Sequence, residues 1–268
     1  TPQRIELSKL AAIFSEKSKL AAKGAVDFSA GLEPYRLAGE FSLTEFDLGK
    51  YFKAEDETRP PTIEGIFNVQ GKLEGHGLTL EDTLDRVRGQ FELTGRQGVF
   101  RGLKRTTDKI SMASKAVGLV GSLLGDKSAD RIANATYYVD QLAQSLSELP
   151  FDQMSTKLVR DDSLNLQIQE LRLVSPEVHF IGKGLVKYEP GKKLLEQPLT
   201  ASLSLRSRGK VEEYLGKLKV LDGTRDDLGF ANCKEGVNLG GSLLRPDPTP
   251  FFVRLAAGKL SELLGTEN

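Results

Sequence analysis

The residues able to do chemistry are few: His76, His179, Cys233 and the acidic clusters Glu55-Asp-Glu57, Asp161-Asp162 and Asp226-Asp227. Catalysis needs a nucleophile, acid or base and an orienting partner within reach of one another. His76 lies in Glu74-Gly-His-Gly-Leu78, which reads as a turn, and His179 on a strand in opposite parity to Phe180; no spacing joins the two. Cys233 has no second cysteine with which to form a disulfide or a CxxC metal site, and reads as a small buried hydrophobe. The acidic clusters lack the alternating ligand spacing of an EF-hand loop and read as solvated turns. Arg160-Asp-Asp162 recurs as Arg225-Asp-Asp227, a match too short to carry function. Gly75-His-Gly77 and Gly182-Lys-Gly184 hold a GxG fragment with neither a third glycine nor a following helix, so the phosphate-cradling reading fails on context. Walker A, GxSxG and HExxH motifs do not occur. The expectation is a non-enzyme with no cofactor and no metal.

The composition narrows the partners. Lys and Arg number 37 against 37 Asp and Glu, so the basic signature of a nucleic-acid binder is missing, and no basic cluster is interleaved with aromatics. With 39% hydrophobic residues over 268 positions, the chain is long enough to bury a core. The longest apolar-leaning run, Ile110 to Leu124, carries Lys115 and falls short of the roughly 20 residues of a membrane span. The opening TPQRIELSK lacks the charged and apolar regions of a signal peptide, and the chain reads as the end piece of something longer.

The elements that must position any site are mostly strands. Leu7, Leu10, Ala11, Phe14 and Ala21, with Gly24 behind them, fit one face of a helix over 1–23. From Val26 the period changes to two. Val26, Phe28, Ala30 and Leu32 alternate with polar residues, as do Leu37, Phe41 and Leu43; Ile63, Phe67, Val69 and Leu73; and Val87, Phe91 and Leu93. Gly39-Glu-Phe-Ser-Leu-Thr44 and Gly89-Gln-Phe-Glu-Leu-Thr94 share the form GxFxLT, and Gly65-Ile-Phe-Asn-Val69 matches its first part, which suggests repeated hairpins over 24–104. Apolar 3–4 spacings through Ile110–Leu124 and Ile132–Leu146 predict a helical hairpin over 105–150, closed by Pro150. Strands resume over 151–208, with a parity slip at Gln169-Glu170 that marks a turn or bulge. The tail, 209–268, adds a helix through Val211 to Leu218, a short strand Val237-Asn-Leu239 and a helix from Pro250 to Leu264. The fold class is α+β: one module, 1–268, built on a mainly antiparallel, bent amphipathic β-sheet, groove-like, with a helical hairpin insertion and terminal helices.

Several segments resemble the AsmA-like family of bacterial envelope proteins, to which TamB-type proteins are related. In the second half these are Phe151-Asp-Gln-Met154, Leu164-Asn-Leu166, Leu171-Arg-Leu173-Val-Ser-Pro176, Phe180-Ile-Gly-Lys-Gly-Leu-Val186 and Gly240-Gly-Ser-Leu243 with Pro246-Asp247. Gly71 to Leu103 resembles a strand ending common in the first part of that region. Ser242 stands where the family has Thr, and Lys104 where it has an acidic residue. The resemblance implies a periplasmic chain anchored in the inner membrane by a segment outside this sequence, with amphipathic sheet bent into a groove. It also implies a part in outer-membrane homeostasis and in moving phospholipid between membranes, and it brings no catalytic residue.

One sheet face rich in Phe and Leu must be buried, covered by helices, or left open to an apolar ligand. Candidate lipid-groove residues are Phe28, Phe41, Leu43, Phe67, Val69, Phe91, Leu93, Phe180, Val186, Leu203 and Leu205. The expected partner is a phospholipid or other acyl-chain lipid. The alternative is a scaffold module of the envelope with a filled core and protein partners.

Overall fold

The computed structural model describes residues 3–28, 31–51, 60–104, 106–110 and 127–255. Alternation of apolar and polar side chains dominates these stretches, and the chain answers it with a meander. The strands are β1 (Gln3–Ile13), β2 (Lys19–Phe28), β3 (Tyr35–Asp47), β4 (Ile63–Gly77), β5 (Arg88–Phe100), β6 (Leu149–Arg160), β7 (Leu166–Val174), β8 (Val178–Val186) and β9 (Leu199–Ser207). Each pairs antiparallel with the next, so the first nine strands lie side by side in chain order. The hairpin of β10 (Leu221–Arg225) and β11 (Ala231–Cys233) extends the sheet through β11 on β9, and β12 (Val237–Gly241) pairs with β9 and with β13 (Pro246–Asp247). The sheet is open, with β1 and β10 at its ends.

Helices α1 (Leu48–Tyr51), α2 (Leu80–Asp85), α3 (Lys127–Ser147) and α4 (Gly209–Lys217) interrupt the meander. A further helix occupies 249–255. Val139, Leu142, Ala143 and Leu146 of α3, Val211 and Leu215 of α4, and Phe251, Phe252 and Leu255 form one core with Phe67, Leu173, Phe180, Leu203 and Leu205 of the sheet. A smaller cluster of Leu166, Ile168, Val186, Leu199 and Ala201 is capped by Leu243, in the loop between β12 and β13. Both lie toward the C-terminal half.

Two expectations need correction. The N-terminal helix over 1–23 is a hairpin of β1 and β2. Two residues, Ser8 and Lys9, oppose one at a bulge between Leu7 and Leu10, which puts both leucines on the same face. That insertion gave the strand a three-residue apolar interval, which mimics a helix. The tail holds more sheet than expected, since β10, β11 and β13 were not read as strands. Of the helical hairpin, the second helix is α3 and the first begins as helix at 106–110; the rest of the first lies outside the described residues, as does the C-terminal helix beyond Leu255. The parity slip at Gln169-Glu170 is a bulge, with register shifting between Ile168 and Leu171.

Candidate functional site

Register partners in an antiparallel sheet share a face. One row of partners runs Leu10, Ala22, Phe41, Gly71, Phe91, Leu158, Ile168, Gly184 and Ala201. The next runs Leu20, Leu43, Val69, Leu93, Thr156, Leu171, Gly182 and Leu203, and a third Phe46, Phe67, Gly95, Met154, Leu173, Phe180 and Leu205. Phe28 joins through Tyr35, and Val186 through Leu166 and Leu199. All the candidates named from the sequence therefore stand on a single face. The repeated phenylalanines fall in order: Phe41 and Phe91 flank Gly71 with ring centroids 6.3 Å apart, and Phe67 sits two rows along.

That face has two parts. Phe67, Phe180, Val186, Leu203 and Leu205 are buried, closed off by the helices and by the loop before β13. They are core, not groove lining, because α3, α4 and the helix at 249–255 supply the apolar cover the sheet requires. Leu93 touches the edge of this core. Phe28, Phe41, Leu43, Val69 and Phe91 belong to neither buried cluster and are half-buried. Reading β1 as a helix hid its contribution: Ile5 and Leu7 face Val26 and Gly24, and with Leu10 they are exposed on the same side. Tyr35 and Leu37 of β3 extend the open part; their alternation with Arg36 was the signal for them.

The reverse face carries the charge. Lys23 pairs with Glu40 at 2.6 Å, Arg4 with Asp27 at 3.0 Å, and Gln70 donates to Glu92 at 2.7 Å. The hydrogen bond and charge of Lys23 hold the Glu40 carboxyl below its usual range. Two adjoining depressions of about 550 and 620 Å³ lie here, over β1 to β5, with Lys23, Glu40 and Lys72 among the side chains of both. These hollows lie on the polar reverse of the apolar face and not among the candidate groove residues.

The histidines are far apart. His76 belongs to β4 and not to a turn; its Nδ1 lies 2.5 Å from Glu33 Oε2, and Arg86 donates to the other oxygen of Glu33 at 3.0 Å. His179 is buried on the reverse face, where Nδ1 lies 2.8 Å from Asp226 Oδ2, and Arg206 donates to the same oxygen at 3.1 Å. Asp226, expected on a solvated turn, is instead enclosed. Burial alone would raise its carboxyl, but His179, the Phe230 amide, Arg206 and the Leu228 amide outweigh that and hold it at about 2. Burial pushes the His179 imidazole down, against the pull of Asp226. Nε2 of His179 is buried without a hydrogen-bond partner, so among the described residues no nucleophile completes a triad there. Burial also pushes the Cys233 thiol up. Among the described residues no group of His, Cys, Asp and Glu is placed to hold a metal, and no helix is long and apolar enough to cross a membrane.

Among the described residues, the fold is an open antiparallel meander whose apolar face is covered by helices over β6 to β9 and half-buried where Phe28, Phe41, Leu43, Val69 and Phe91 stand. Comparisons with protein-family models, curated proteins and solved structures find no match to this chain.

Proposed function

We propose that this chain is a non-enzymatic lipid-handling module of the cell envelope, as the AsmA-like resemblance implies, with acyl chains lying on the open apolar face over β1 to β5. In that reading the module works in the periplasm as part of an inner-membrane-anchored protein and passes phospholipid between membranes. The observation that carries the proposal is the continuity of one apolar face across nine registered strands, covered over β6 to β9 and open where Phe28, Phe41, Leu43, Val69 and Phe91 stand. An extended apolar surface marks an interaction site, and each buried methylene of an acyl chain contributes roughly 0.8 kcal/mol.

Phospholipid retained through purification, detected by native mass spectrometry, supports this reading. Phe91→Asp places a carboxylate on the open face and is expected to cut lipid retention about tenfold or more while far-UV circular dichroism stays unchanged. Phe180→Asp, at a position 4% exposed, is expected to unfold the domain instead. Wild-type protein that carries and takes up no lipid would sink the proposal. The filled core over β8 and β9 favours the second reading, an envelope scaffold, within that half; crosslinking that recovers a protein partner and no lipid would extend it to the whole.

A further inference from the structure

Helix α2 is turned inside out. Thr83 is fully buried and donates its hydroxyl to the Thr79 carbonyl at 2.7 Å, whereas Leu80 and Leu84, one turn apart, are 48% and 54% exposed. The reason lies in β4: Gly75 and Gly77 carry no side chains, and the backbone of Thr83 occupies the space that a Cβ at either position would need. The helix is pinned in this pose. Thr79 caps it by accepting from the Asp82 amide at 3.0 Å, and Asp82 accepts from the Leu78 amide at 2.9 Å. Leu78 is 63% exposed beside it. Glu33, in the β2–β3 connection, binds both His76 and Arg86 and so ties that connection to the helix; its neighbour Leu32 is 89% exposed. Four leucines therefore stand outward at one end of the sheet, held there by hydrogen bonds and glycine clearance.

We infer that this end of the sheet is a docking tip for a bilayer surface of zwitterionic phospholipid, into whose interfacial layer Leu32, Leu78, Leu80 and Leu84 insert. The inference deepens the lipid-handling reading and rests on it. Leucines on protruding connections can be buried by a fluid layer that closes around them, and amphipathic helices enter bilayers in this way. The tip adjoins the Phe28–Tyr35 ring pair, centroids 5.3 Å apart, where the open apolar face ends, so a chain leaving the bilayer would meet apolar side chains at once. Charge selects the headgroup. Among the described residues Arg86 is the one cation paired with Glu33, whose other oxygen meets His76, and Asp82 also lies 3.7 Å from Arg86. With Glu81 and Asp85 flanking the leucines, the tip carries more acidic than basic groups, so a strongly anionic surface would repel it and zwitterionic headgroups suit it better.

The chain contains no tryptophan, so Leu80→Trp and Leu84→Trp each introduce a single fluorescent reporter. On adding phosphatidylethanolamine–phosphatidylcholine vesicles, the emission of both is expected to shift to the blue. Leu228→Trp, on the β10–β11 turn and 47% exposed, is expected to stay unshifted. Wild-type protein should float with the vesicles and remain bound at high salt. The triple variant Leu78→Ser, Leu80→Ser, Leu84→Ser should lose at least about tenfold in partitioning while keeping its fold, since these side chains bury little. Failure of the wild type to float, an unshifted Leu80→Trp, or binding abolished by salt overturns the inference. Phe91→Asp separates the two readings. Lost lipid retention with intact flotation spares the tip, and retained lipid without flotation removes the tip while leaving the apolar face.

Discussion

Asp226 accepts a hydrogen bond from Nδ1 of His179, which leaves Nε2 as the unprotonated nitrogen of a neutral ring, buried and without a partner. Protonation would turn that nitrogen into a donor with nothing to receive its hydrogen, facing the nearby positive charges of Arg172 and Arg206. Burial therefore lowers the folded pKa of His179 below 6.5. The unfolded chain binds the proton more readily, so the neutral ring's contribution to stability is complete above about pH 6.5 and is lost as pH falls toward the folded value. Asp226 has the same sign lower down, its contribution present above its unfolded pKa of 3.8 and lost as pH falls toward about 2. His179→Asn keeps a donor near the Nδ1 position and cannot titrate. Its thermal midpoint should fall less than that of the wild type between pH 7 and pH 5, in differential scanning fluorimetry. A wild type that gains stability on acidification would contradict the neutral assignment. None of this was legible from single residues. Asp226 is 47 positions from His179, and only the β10–β11 hairpin brings them together. The Arg-Asp-Asp match did carry a signal of another kind. In both copies the first Asp accepts from the amides two and four residues on and closes the same turn, Asp161 to Asn165 and Asp226 to Phe230.

At the scale of elements, the alternating strands were readable because a half-buried strand must put every second side chain on the same face. Phe41, Phe67, Phe91 and Phe180 share one face of the sheet for that reason. What sequence could not show was which of them the helices cover: Phe67 and Phe180 share one buried cluster with residues of α3, α4 and the helix at 249–255, and Phe41 and Phe91 do not. The β1–β2 hairpin was missed because a bulge breaks period two. Glycine offers a test of the division. A Cβ at Gly95 would collide with the ring of Phe67, which is fully buried and stacked edge-on against Phe151, centroids 6.0 Å apart. A Cβ at Gly71 would meet the rings of Phe91 and Phe41, which are half-buried and able to swing outward. Gly95→Ala is therefore expected to cost about 1–3 kcal/mol in urea denaturation, as overpacking does, and Gly71→Ala under about 1 kcal/mol. Equal penalties would mean that the two halves of the face are equally closed.

Across the whole molecule, a meander gives each strand only two neighbours, and support beyond them has to come from layers above the sheet. Over β6 to β9 that layer exists, built from α3, α4 and the helix at 249–255. β1 pairs only with β2 among the described residues, and its Ile5, Leu7, Leu10 and Ile13 are exposed. Stability should therefore fall along the sheet from β8 and β9 toward β1. Native-state hydrogen exchange is expected to show amides of β1 and β2 opening at free energies well below the global value with little denaturant dependence. Those of β8 and β9 should exchange only on global unfolding. Uniform protection from β1 to β9 would contradict this gradient. Lipid adds a second arm. A ligand that binds only the folded face stabilises what it touches, so phospholipid should slow exchange in β1 to β5 and leave β8 and β9 unchanged. The mixed charges of the reverse face contribute little to the gradient, because solvent and salt screen exposed pairs such as Lys23–Glu40 and Arg4–Asp27. The apolar face and its partial roof thus set both where the molecule is firm and where a ligand can make it firmer.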